Sequence, residues 1–182
     1  MKESEKKRIF TILSSNIETE ILSTLPIIKD DGDADFIIPL AKLLLLDISD
    51  ELKRNIRQIF LELKDNTAVA PIMNIIQNKT FGDENAFFRS LCWGLKLDFT
   101  DYFNTFIDLF ISSPFEPAFD YFTTIEIMLQ DYFDKISIES SNKAIDKIKG
   151  KISSIDASKK DLTVELIHLL QHHIKQLKSN EQ

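Results

Sequence analysis

Four side chains near the C-terminus have the types and spacing of a metal-binding helix face. Asp161, Glu165, His168 and His172 follow one another at intervals of three or four residues, which stacks them along one side of an α-helix. Glu165 and His168 form Glu-x-x-His, half of the ligand set of a di-iron carboxylate centre. A complete centre needs a second Glu-x-x-His and carboxylates from facing helices, and the chain has no second copy. The same segment carries an apolar stripe, Leu162, Leu166, Leu169, Leu170, Ile174 and Leu177. That stripe turns the four polar residues toward solvent, as the outer face of a terminal capping helix. No metal site is expected.

Other routes to catalysis lack their partners. No Gly-x-Ser-x-Gly occurs, and no histidine precedes His168 to pair with an upstream serine. Cys92 is the only cysteine, which excludes an intramolecular disulfide and a cysteine-rich zinc site. Its setting, Ser90-Leu91-Cys92-Trp93, reads as a small buried hydrophobe. The glycines at 32, 82, 94 and 150 are isolated, so no phosphate loop exists. Paired carboxylates such as Asp30/Asp31 and Asp98/Asp101 fall at helix junctions, where capping accounts for them. The expectation is a protein without catalytic residues and without a cofactor.

The charges are distributed unevenly. From Asp98 to Glu139 the acids are Asp98, Asp101, Asp108, Glu116, Asp120, Glu126, Asp131, Asp134 and Glu139, with Lys135 the only base. Phe99, Tyr102, Phe103, Phe106, Phe110, Phe115, Phe119, Tyr121, Phe122, Tyr132 and Phe133 are interleaved with them. Two arrangements fit. Either the aromatics are core and the acids a solvated face, or together they form a surface that grips a basic protein or peptide. The next stretch is basic, with Lys143, Lys147, Lys149, Lys151, Lys159 and Lys160 against Asp146 and Asp156. Without arginine or aromatic interleaving it reads as a solvated helix surface. A net charge of −7 speaks against general nucleic-acid binding and suits a basic partner.

Elements to position these residues follow from composition and periodicity. With 43% hydrophobic and 28% charged residues the chain has the makings of a core. Only 4 glycines and 5 prolines leave few tight turns, which favours long helices over strands. Ile9, Leu13, Ile17 and Ile21 recur at helical spacing, with a break expected at Asn16. Leu52, Ile56, Ile59, Phe60 and Leu63 form one stripe over residues 49–64, capped by Ser49 or Asp50. Further helices are expected near 83–96, 100–112, 115–135, 141–153 and 159–178, the last with a capping-box-like start from Ser158 to Asp161. The most apolar segment, Phe36 to Leu46, is far short of the about 20 residues of a membrane span and reads as a buried core helix. The charged N-terminus has no signal-peptide pattern, so a cytoplasmic location is expected.

These helices repeat. Glu20–Leu46, Asn55–Asn78 and Phe87–Ser112 each read as an apolar helix end, an acidic turn and a second apolar helix. The period of roughly 30–35 residues belongs to helical-hairpin solenoids. The segment from Arg57 to Ile76, with Asp65 at its turn and Ala68-Val69-Ala70-Pro71-Ile72 opening its second helix, resembles the HEAT-repeat family. Asp33–Leu45 and Phe87–Phe110 match more loosely. The resemblance implies an all-α fold, a right-handed α-α superhelix in which second helices line a concave surface that holds other macromolecules. The whole chain, 1–182, is then one helical-repeat domain. It is HEAT-like through about 112 and degenerate over 113–155, with a C-terminal capping helix at 158–178. The expected function is a protein-interaction module, an adaptor or scaffold. The alternatives are an immunity-type or regulatory inhibitor of a basic toxin or enzyme and, behind it, a HEAT-like nucleic-acid or DNA-repair protein. The residues expected to touch a partner are Asn74, Gln77, Asp98, Asp101, Asn104 and Asp108.

Overall fold

A computed structural model describes residues 1–15 and 17–180, and the regular structure among them is entirely helical. The break expected at Asn16 falls outside the described residues. The chain forms two compact units, Met1–Leu97 and Asp98–Gln182, whose boundary divides the third sequence repeat. The first unit holds α1 (Glu3–Leu13), α2 (Glu18–Asp31), α3 (Ile37–Leu43), α4 (Asp50–Leu61), α5 (Val69–Gln77) and α6 (Glu84–Gly94). The second holds α7 (Phe103–Ser112), α8 (Phe115–Asp131), α9 (Ile138–Lys151) and α10 (Lys160–Asn180).

One device recurs at the helix starts. The first amides of a helix have no carbonyl partner within it, and a side-chain acceptor just upstream can supply one. Asp33, Asp65, Asp98 and Asp156 each accept a hydrogen bond from the backbone amide two residues on, at Asp35, Thr67, Thr100 and Ser158, over 2.8–3.0 Å. Asp33, Asp65 and Asp156 each cap a single 3₁₀ turn that runs directly into α3, α5 or α10, and Asp98 stands one residue further ahead of the turn that runs into α7. Asp33, Asp65 and Asp98 are spaced at roughly 33 residues, the period of the sequence repeat. Asn78 makes the same bond to Thr80 ahead of α6. Pro39 and Pro71 fall in the first turns of α3 and α5, where a missing N–H leaves no helical carbonyl unpaired.

The sequence expectations need correction at four places. Ser158 does not cap the last helix; its hydroxyl donates to Asp156, which caps the 3₁₀ turn Ala157–Lys159 that leads into it. The segment 36–46 is α-helical only over Ile37–Leu43, after the 3₁₀ turn that ends at Phe36, and Leu45 and Leu46 are exposed. The helix expected at 141 starts at Ile138, because Ser137 accepts from the Ser140 amide and caps it there. The helix expected to reach 135 ends at Asp131, and a 3₁₀ turn covers Phe133–Lys135. By contrast α4 starts at the expected cap, with Ser49 Oγ accepting from Leu52 N at 3.3 Å and Leu52, Ile56, Ile59 and Phe60 buried.

In the first unit α2 packs on α4 and α3 on α5, while α1 covers α2 and α3, and α6 lies against α5. Phe60 of α4 meets Phe87 and Phe88 of α6 edge-on at 6.0 and 5.0 Å. Beside them the Arg57 guanidinium lies over the Phe87 ring and donates to both carboxylate oxygens of Glu84 at 2.9 Å. Glu84 is the first residue of α6, where a negative charge also suits the helix dipole.

In the second unit α7 pairs with α8 and α9 with α10, and α7 also packs on α9 and α8 on α10. Its core holds Phe99, Phe103, Phe106, Phe110, Tyr121 and Phe122. Most of the interleaved aromatics are therefore interior. Lys159 is also interior, at 1% exposure, against the expectation of a solvated lysine face. Its ammonium donates to the carbonyls of Phe110, Ile111 and Ser113 at 2.9, 3.0 and 2.5 Å, using all three of its protons to cap the C-terminal end of α7. Burial pushes its pKa down, and Asp156 works in the opposite direction.

Replacing Lys159 with methionine keeps the stem and strands three carbonyls. We expect a loss of about 3 kcal/mol in chemical denaturation; a loss under about 0.5 kcal/mol would show that water caps α7 as well. The capping aspartates predict acid sensitivity. Asp65 is held below the ordinary carboxylate range by the Thr67 amide and hydroxyl, and Asp156 by the Ser158 hydroxyl and amide. A lowered folded-state pKa contributes stability that is complete above the unfolded value and lost as pH falls through the folded one. The melting temperature should therefore decline below about pH 4, and Asp65→Asn, which keeps the cap as Asn78 does, should flatten that decline.

Candidate interaction surface

The six residues singled out in the sequence divide between the two units. Asn74 and Gln77 are exposed on α5, and Gln77 donates to the Met73 carbonyl of its own helix at 3.0 Å. In the second unit Asn104 and Asp108 lie one turn apart on the outer side of α7, with Asp101 in the turn just before it, and all three are exposed. The opposite side of α7 buries Phe103, Phe106, Ile107 and Phe110. Period 3.6 thus brings Asp101, Asn104 and Asp108 together on one face. Asp98 is half-buried and holds its turn, accepting from the Thr100 amide and hydroxyl and pairing with Lys135. Burial raises its pKa, but Lys135 and Thr100 together outweigh that and hold it below the usual range.

Acidic and basic stretches that are separate in sequence meet in space. Asp108 pairs with Lys147 across α7 and α9, and Glu139 pairs with Lys143 at 2.6 Å along α9. The lysine stretch is thereby partly neutralised, with Lys159 removed to the interior. Asp101, Glu116, Asp131 and Asp134 are exposed and add negative charge to this surface.

Two of the aromatics face out. Phe115 and Phe119 on the first turns of α8 are 46% and 51% exposed, with ring centroids 6.5 Å apart. The other side of α8 buries Ala118, Tyr121, Phe122, Ile125, Met128 and Leu129. Glu116 is exposed beside the pair, and Asp120 and Glu126 are half-buried. Composition alone placed Phe115 and Phe119 among eleven aromatics. Their distinction was available from helical phase, since Phe119 is out of register with the buried stripe of its own helix.

The face proposed from Asp161, Glu165, His168 and His172 is exposed along α10, and no cluster of three or more metal-ligating side chains forms among the described residues. The third histidine, which the sequence reading passed over, is inside. His173 is 2% exposed, with Nδ1 3.1 Å from Ser141 Oγ and Nε2 3.0 Å from the Phe133 carbonyl. A carbonyl only accepts, so Nε2 carries the proton and Nδ1 accepts from the serine hydroxyl. The pair has the donor–acceptor order of a serine nucleophile and its base, but Ser141 is fully buried, which leaves it out of reach of a substrate. The cluster ties α9, α10 and the turn after α8 together. Next to it a groove of about 670 Å³ is lined by Leu129, Phe133, Leu169, His172, Lys175 and Gln176, among others. Cys92 is buried, as its setting suggested.

No family model matches the chain, and no curated protein or solved structure is significantly similar to it.

The tautomer can be checked directly. A long-range ¹H–¹⁵N spectrum of the histidine rings should show His173 protonated at Nε2 at neutral pH, and Ser141→Ala should cost about 1 kcal/mol. Protonation at Nδ1 alone would contradict the bond to Phe133.

Proposed function

We propose that the chain is a non-catalytic protein-interaction module built from helical hairpins of the HEAT-like kind. The observation that carries this reading is the recurring aspartate-capped turn, together with the packing it leads to in the first unit. There α2 stacks on α4 and α3 on α5, so each helix meets its counterpart in the next hairpin. Such stacking is how repeats that cannot bury their own apolar faces gain a core, and a right-handed superhelix is the form it takes when continued. Modules of this type offer long faces of exposed side chains to other macromolecules.

The chemistry of the exposed side chains supports a basic protein as the partner. Asn104 and Asp108 share one face of α7 with Asp101 in the turn before it, and the chain carries an excess of acid. Acidic surfaces hasten encounters with basic proteins and repel nucleic-acid phosphates. An inhibitor of a basic toxin or enzyme is the second reading, favoured by the small size and net charge of −7; it differs from an adaptor in requiring a single tight partner.

Affinity capture from native lysate at low and high salt tests the proposal. We expect a stoichiometric basic protein, weakened by salt, and at least tenfold weaker capture by Asp101→Lys with Asp108→Lys. Far-UV circular dichroism should be unchanged, because the Asp108–Lys147 pair is half-exposed and contributes little. Absence of any protein partner at either salt concentration would sink the reading.

A further inference from the structure

We infer that the outer face of α8 around Phe115 and Phe119 seats a basic amphipathic helix of a partner protein. This rests on the protein-binding reading above and is independent of the repeat architecture. Phe119 is placed by helical phase on the side of α8 opposite Tyr121, Ile125 and Met128, and its ring is half-exposed. Phe115 lies one turn before it, and the tilted rings form a continuous apolar strip on a surface that is otherwise polar. Anchors one turn apart suit the i, i+4 spacing of an apposed helix.

Charge chooses among the occupants. From Phe115 to Asp131 the helix has no lysine, arginine or histidine, whereas Glu116 and Glu126 lie on the same side as Phe119. A second copy of this chain seated on the strip through the same face would bring carboxylates against carboxylates. An anionic lipid surface would meet the same repulsion. A helix with aliphatic residues on one side and lysines or arginines flanking them satisfies both the rings and the acids.

The test uses the full chain and a fluorescein-labelled amphipathic peptide of leucine and lysine, with a leucine–glutamate peptide of the same pattern as control. Fluorescence anisotropy should show saturable binding of the lysine peptide only. Phe115→Ser with Phe119→Ser should weaken it at least tenfold, and Glu116→Lys severalfold. Both sites are exposed, and melting curves matching the parent establish that the variants fold. Amide shifts on peptide addition should cluster on residues 115–126. Equal binding by the double serine variant, or by the glutamate peptide, would overturn the proposal. So would self-association that the serine variant abolishes, which would assign the strip to a second copy. If the serine variant still captures the lysate partner in full, this site falls while the protein-binding reading stands. Loss of capture in parent and variant alike removes both.

Discussion

A carboxylate accepting from a backbone amide two residues on is the contact from which both units are organised. Helices here are short, several under a dozen residues, and short helices have little stability of their own. Their starting amides must be satisfied, and the chain must reverse within a few residues so that neighbours can cover each other's apolar faces. Asp33, Asp65, Asp98 and Asp156 meet both needs. Each fixes a 3₁₀ turn and delivers the next helix in a set direction. The stacking of α3 on α5 follows from two such turns placed one repeat apart.

Lys159 does at a helix end what the aspartates do at helix starts. Three carbonyls of α7 point at one ammonium, which sits where the dipole of α7 is negative. The aspartate that opens the turn into α10, Asp156, stands three residues before that lysine. One short segment therefore both starts α10 and closes α7. His173 adds a second polar tie in the same unit, linking α9 and α10 to the turn after α8. Buried polar groups of this kind specify which helices pair, since a wrong pairing leaves them without partners.

Much of the helical content was legible in the sequence because it rests on local rules. The stripe and cap of α4, the turn at Asp65 and the position of Pro71 are all set within a few residues. Most of what failed was long-range, with the caps at Ser137 and Asp156 as local exceptions. Lys159 belonged to a run of lysines, and nothing nearby in sequence shows that its partners lie at 110–113. Ser158 beside Asp161 looked like a capping box because the competing acceptor, Asp156, stood only two residues away. His173 was overlooked because His168 and His172 matched a motif, while its own partners come from α9 and from the turn after α8. For the surface, the sequence named Asp101, Asn104 and Asp108 singly, and their common face emerged with the start of α7 at Phe103. Composition did not separate the two outward phenylalanines from the inward ones, although the apolar stripe of α8 itself leaves Phe119 out of phase.

The span between Lys159 and the carbonyls it caps also bears on the order in which the protein can be completed during synthesis. A ribosome releases α7 well before residue 159 emerges, and during that interval only water can serve the end of that helix. The second unit cannot reach its final hydrogen bonding until most of its length is outside the exit tunnel. The first unit, whose turns at Asp33, Asp65 and Asn78 are closed by side chains two residues from their amides, carries no such delay there and can settle while the rest is still being translated.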